Sequence, residues 1–166
     1  MQTSKQYFRT LNVIHYALLA GQLLLAGVAL YLTYGKSQPV VGTQNGVFIY
    51  LVPLIALLAV LISQLIYRQK LKKLKSYSSL IPKMTEYQSI FIIRLAFIEG
   101  ASLFAIVVYL LTVEAIFIAI GVLLIVYFVL LRPTRDKIAM DLELSVSDKM
   151  KLQQADELIA DIQDKK

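Results

Sequence analysis

Residues 89–131 read SIFIIRLAFIEGASLFAIVVYLLTVEAIFIAIGVLLIVYFVLL. Between Arg94 and Arg132 the only charges are Glu99 and Glu114, and the rest is apolar or small apart from a few hydroxyl groups. A hydrocarbon core of about 30 Å takes about 20 residues of helix at 1.5 Å per residue. The stretch therefore predicts two transmembrane helices, about 89–111 and about 115–131, joined by a tight turn at Thr112-Val113-Glu114. Helices of a soluble core keep a polar face towards water and do not need such runs.

Upstream, the same reading gives a first span of about 11–34 and a second of about 47–67. Pro53 sits near the start of the second, where a missing backbone donor is tolerated. Gly35 to Gly46 (GKSQPVVGTQNG) is a turn-rich connector with one charge, Lys36. Composition agrees: 58% of the 166 residues are hydrophobic and mean hydropathy is +0.67, against roughly 45–50% apolar residues in soluble domains. Lys5 and Arg9 precede span one as in a signal peptide. The apolar run is too long for that, and no small-residue cleavage site follows before Gly35, so it reads as a retained helix.

Net charge is +6, but its placement argues against nucleic acid. Arg68, Lys70, Lys72, Lys73, Lys75 and Lys83 follow span two directly, with only Glu86 to offset them. A cluster there reads as a topology signal and a contact for anionic lipid. Lys5, Arg9, these six, Arg132, Arg135 and Lys137 fall on one side of the predicted spans, and only Lys36 on the other. The positive-inside rule then places both termini and the central loop in the cytoplasm of a multi-pass protein of the cell membrane. The fold class expected is all-α: four spans as two tandem hairpins over 1–131, and a cytoplasmic helical tail over 132–166. Ser76, Ser78, Ser79 and Pro82 should break any long helix in the central loop.

In the tail, Arg132-Pro133-Thr134 leads into a helix expected through Asp141. A second, amphipathic helix is expected over 147–163, with Ser147 as N-cap and Leu152, Ala155, Leu158, Ile159 and Ile162 on one face. Asp156, Glu157, Asp161 and Asp164 on the other side would repel anionic lipid. A protein partner, or docking onto the basic loop, suits that helix better than a membrane surface.

Spans one and three align without a gap. His15 to Gly21 (HYALLAG) lies over Arg94 to Gly100 (RLAFIEG), so that Ala17 and Gly21 fall on Ala96 and Gly100. Each copy holds a small-xxx-small pair, which lets helix backbones approach closely in lipid, and the alignment reads as an internal repeat. Glu99 lies about 15 Å past the cytoplasmic start of its helix, near mid-membrane. A charge there costs at least about 2.5–3.5 kcal/mol and should be neutral, paired or in a wet cavity. Arg94, five residues away and about 140° round the helix, does not face it. Gln22 is at nearly the depth of Glu99 in the aligned helix, and a Gln22–Glu99 contact is the expected pairing, with Ser102 as a further partner. His15, at the depth of Arg94, has no second metal ligand in view, and no metal or cofactor is expected.

Residues 96–111, AFIEGASLFAIVVYLL, resemble the carboxylate helix of the ATP synthase c subunit, the proteolipid family, with its Ala-x-x-Glu-small and later Val-Val-x-x-Leu pattern. The resemblance implies an ion- or proton-carrying carboxylate at Glu99. The chain differs from that family in a glycine-free second span and in Arg68-Gln69-Lys70 where the family has Arg-Gln-Pro. No cysteine is present, so a thiol nucleophile, thiolate metal site or disulfide is excluded. No nucleophile–base pair or Gly-rich phosphate loop is visible either. The expectation is a small non-enzymatic accessory or scaffold subunit in a homo-oligomer or with a membrane partner. The alternative is a proton- or cation-handling protein using Glu99.

Overall fold

The computed structural model describes residues 2–35, 46–77, 79–154 and 158–160. The elements are β1 (Gln2–Thr3), α1 (Ser4–Thr33), α2 (Phe48–Lys75), α3 (Leu80–Thr112), α4 (Ala115–Leu130), α5 (Arg135–Asp141), α6 (Val146–Gln153) and β2 (Leu158–Ala160). The chain is thus helical, with one short antiparallel ladder pairing Gln2 with Ala160 and Thr3 with Leu158. Most of the connector 35–46 lies outside the described residues.

Among the described residues, α1, α2 and α3 are long and apolar enough to cross a membrane. The 16-residue α4 passes that test only together with α5, across the break at Leu131–Thr134, giving three spans or four. Helices α1 to α3 outrun the predicted spans because their apolar runs continue into amphipathic ends. On α2, Tyr67, Leu71 and Leu74 are buried while Arg68, Lys70, Lys72 and Lys73 are exposed. Pro82 does not break α3; it sits in the first turn, where its missing N–H has no intrahelical acceptor to lose.

Local chemistry sets the ends. Thr3 and Gln6 form a reciprocal capping box at the start of α1, Thr3 N–H donating to Gln6 Oε1 at 3.1 Å and Gln6 N–H to Thr3 Oγ1 at 3.4 Å. Gly35, at φ +72°, follows α1 in the left-handed conformation that costs glycine nothing. Helix α3 ends on Val113, at φ 58°, whose N–H donates to Tyr109 O at 2.7 Å. Helix α5 closes as a Schellman motif: Glu143, at φ 48°, donates to Met140 O and Leu144 donates to Ala139 O.

The chain divides into two compact units. One, Tyr16–Gln64 with Leu95–Leu131, holds Lys36 as its only Lys or Arg, of the 17 in the chain. Its core gathers Ala26, Ala29, Val52, Ala105, Val108 and Phe117. The α1 seam runs Gln22, Ala26, Ala29, Thr33, spaced four, three and four residues, as one helix face requires. Thr33 Oγ1 lies 2.8 Å from Ala29 O and 2.9 Å from Tyr109 Oη. The threonine proton goes to the carbonyl, so the tyrosine donates to the threonine and joins α1 to α3. Gly121 of α4 is the close-approach glycine: a Cβ there would meet Ile106 Cγ1 at 3.1 Å.

The other unit comprises Met1–His15, Leu65–Arg94 and Arg132–Lys166, so the boundary after Leu131 is also a unit boundary. Ile138, Leu142, Leu144 and Leu152 of the tail are buried in it. Ser4 Oγ donates to Leu152 O at 2.6 Å and Tyr7 Oη donates to Met84 O at 2.8 Å. The amphipathic helix expected over 147–163 is shorter and starts earlier. Ser145, not Ser147, caps it by accepting from Asp148 N–H, and Gln154 is already extended. Leu158–Ala160 is strand, because pairing with Gln2–Thr3 supplies backbone partners that a marginal short helix would have to find within itself. Residues 155–157 and 161–163 of that expectation lie outside the described residues.

Candidate functional site

In the apolar unit the polar site is built on α1 and α3. Gln22 is 0% exposed, and its Oε1 lies 2.6 Å from Ser102 Oγ, itself buried. Ser102 Oγ is also 3.0 Å from the Glu99 backbone carbonyl. One hydroxyl carries one proton, and the shorter contact takes it. The amide nitrogen of Gln22 reaches Leu18 O at 3.5 Å, a long bond that leaves much of its donor capacity unused.

The expected Gln22–Glu99 pairing is therefore replaced by Gln22–Ser102, one helical turn further along α3. The reason is rotational. Ser102 lies about 60° round the helix from Glu99, on the face that buries Leu95, Ile98, Ala101 and Ala105. Glu99 sits at the edge of that face and is only half-buried. Among the described residues its carboxyl has no hydrogen-bond or ion-pair partner. A half-buried carboxyl that takes no part in the Gln22–Ser102 bond can change protonation without breaking it.

The four small residues expected to pack helices do not do so within the chain. Ala17, Gly21, Ala96 and Gly100 are all exposed, and no atom lies within 4 Å of a Cβ added at Gly21 or Gly100. The α1 packing seam uses Ala26 and Ala29 instead, reached through Gln22, one residue or about 100° round from Gly21. On the α2–α3 side, Ala96 and Gly100 line an open apolar groove of about 300 Å³ with Ile55, Leu58, Ala59 and Ile62.

His15 and Arg94 belong to the other unit. His15 is buried, and no group of three or more His, Asp or Glu side chains placed to hold a metal ion occurs among the described residues. The Arg94 guanidinium stands 4.2 Å from the Tyr67 ring centroid, a cation–π contact, while its buried Nε has no hydrogen-bond partner. Arg68, Lys70, Lys72 and Lys73 are exposed on α2, and the side chain of Lys75 lies outside the described residues.

A second polar cluster, in this unit, was not anticipated from the sequence. Tyr67 Oη donates to Asp141 Oδ2 at 2.6 Å and lies 2.9 Å from Tyr87 Oη. Tyr67 spends its proton on the carboxylate, Tyr87 interacts with both Tyr67 and Asp141, and the buried tyrosine pair holds the carboxylate in place. The only sequence signal was Tyr67 at the end of an apolar run, which reads equally as an interfacial aromatic. Asp141, 74 residues away, gave none. No family model, no curated protein and no solved structure matches this chain.

Proposed function

We propose that this chain is a four-span integral membrane protein, with both termini and the basic loop cytoplasmic, that serves as a non-enzymatic accessory or scaffold subunit. It assembles through the outward faces of its two small-xxx-small motifs, with further copies of itself or with a membrane partner. The observation that carries this reading is the open space around Gly21 and Gly100. In lipid, helices associate by close packing of such small faces, and here those faces are not consumed by the monomer's own core. The division of charge supports the topology, since the unit with α4 holds one Lys and no Arg.

The test is Gly21→Leu and Gly100→Leu in the full chain. A Cβ at either position has open space around it, with room in the groove beside Gly100 for a longer side chain. Each change also removes a helical glycine worth about 1 kcal/mol in propensity, so the monomer should be about as stable as before. Assembly size in mild detergent, and proximity cross-linking in native membranes, should fall to that of a monomer. A wild-type chain that is monomeric and partnerless in both settings defeats the proposal.

The second reading makes Glu99 a proton- or cation-exchanging carboxylate, as the proteolipid resemblance of residues 96–111 implies. Its support is the carboxyl left without a partner beside the Gln22–Ser102 pair. Carbodiimide attacks protonated carboxyls within lipid, so this reading expects rapid labelling confined to Glu99, abolished in Glu99→Gln and slowed by an ion or by raised pH. A folded sample that stays unlabelled across the pH range rules it out.

A further inference from the structure

An open cavity of about 300 Å³ lies between the charged end of α2 and the end of α5. Its lining is Arg68, Leu71, Lys72, Met140 and Asp141, all of one unit. Arg68 and Lys72 are four residues apart on α2 and so share a helix face, beginning directly after the apolar run closes at Tyr67. Met140, 74% exposed, and Leu71 give the cavity an apolar lip and floor.

Two cations and one carboxylate thus border one space without neutralising one another. No ion pair joins Asp141 to Arg68 or Lys72 among the described residues. Asp141 is no stray surface acid either. Its Oδ2 is held by Tyr67, 6% exposed, which is backed by Tyr87, 2% exposed. Tyr67 and Tyr87 together take at most two of the roughly four acceptor positions of a carboxylate, so Asp141 can still accept a further donor. A purely anionic ligand would gain from Arg68 and Lys72 but face repulsion from this fixed carboxylate. The complement is a zwitterion: a phosphate for the two cations and a hydrogen-bonding primary ammonium for Asp141.

We infer that this cavity binds the phosphoethanolamine headgroup of an aminophospholipid, phosphate at Arg68 and Lys72, ammonium at Asp141, with the start of the acyl chains against Met140. The inference rests on the membrane reading above, which puts the Tyr67–Arg68 junction at headgroup depth. Phosphocholine carries the same charges but no N–H donor, so it cannot make the Asp141 hydrogen bond, and this difference defines the test.

The experiment is native mass spectrometry of the full chain, titrated separately with phosphatidylethanolamine, phosphatidylcholine and phosphatidylglycerol of identical acyl chains. Wild type should bind phosphatidylethanolamine about tenfold more tightly than phosphatidylcholine, the order of one charge-assisted hydrogen bond. Asp141→Asn should erase that preference, weakening phosphatidylethanolamine binding much more than phosphatidylcholine binding. Arg68→Ala with Lys72→Ala should weaken both lipids; these side chains are exposed, so this variant keeps the idea testable even where Asp141→Asn fails to fold. Equal binding of the two zwitterions, or strongest binding of phosphatidylglycerol with no effect of Asp141→Asn, overturns the inference in favour of a generic basic surface. Competition by soluble phosphoethanolamine at lipid-like concentration overturns the lipid assignment in favour of a small-molecule site. Resistance to alkaline extraction from membranes separates the two failures: a chain that stays in the membrane but shows no headgroup preference sinks only this inference.

Discussion

At the scale of single residues, the sequence placed Gln22 within one helical turn of its partner on α3 but missed the rotation. A helix apolar on every side has no stripe to say which face is inward, and an error of one residue turns a side chain by about 100°. Ser102 therefore holds the place that Glu99 was expected to take. Ser102→Ala should destabilise the chain by roughly 0.5–2 kcal/mol, because it leaves Gln22 Oε1 buried without its donor. Adding Gln22→Leu to it should recover part of that loss, and a double-mutant cycle on thermal unfolding in detergent would show the coupling. Val113 gives a second test. A β-branched residue at φ 58° is strained by about 1–2 kcal/mol, so Val113→Gly should raise the unfolding temperature, less whatever its half-buried side chain contributes.

At the scale of elements, the positions of α1 to α4 were legible because the length of an apolar run is itself a physical constraint. Their pairing was not. The repeat drew attention to Gly21 and Gly100, whereas the backbone contact inside the chain is at Gly121, a glycine with no small partner four residues away to mark it. The three glycines should respond oppositely to enlargement. Gly121→Leu should cost about 1–3 kcal/mol by pushing α4 away from Ala105 and Ile106 of α3, while Gly21→Leu and Gly100→Leu should leave unfolding of the monomer unharmed. The tail was legible as far as α5, whose start is fixed by Thr134 and whose end by the Schellman turn at Glu143. Beyond Gln153 the helical spacing of apolar residues misled, since a stripe with period 3.6 says nothing about a strand partner at the far end of the chain.

For the whole molecule, the distribution of charge was the most informative feature, and it maps onto the division into units: all Lys and Arg except Lys36 lie in one of them. Reporter fusions should place Gln2 and a site after Gln154 in the cytoplasm and a site in the connector 36–45 outside; an external signal from either end would reverse the topology. How the tail joins that unit was not legible, because its contacts, Ser4 with Leu152 and Tyr67 with Asp141, pair residues 148 and 74 positions apart. Deleting 135–154 should uncover Tyr67 and Tyr87 and make the α2–α3 loop a ready site for proteolysis. The order of synthesis gives this arrangement a further consequence. The unit needs segments from residues 1–15, 65–94 and 132 onward, whereas the apolar spans emerge between them. At about 5–20 residues per second, Tyr7 and Gln2–Thr3 wait roughly 7–30 s for Leu152 and Leu158–Ala160. On the topology proposed above, insertion into the bilayer would precede closure of this unit, and a nascent chain stalled before Leu152 would be left unsealed, recognisable to quality control by its bare N-terminal turn.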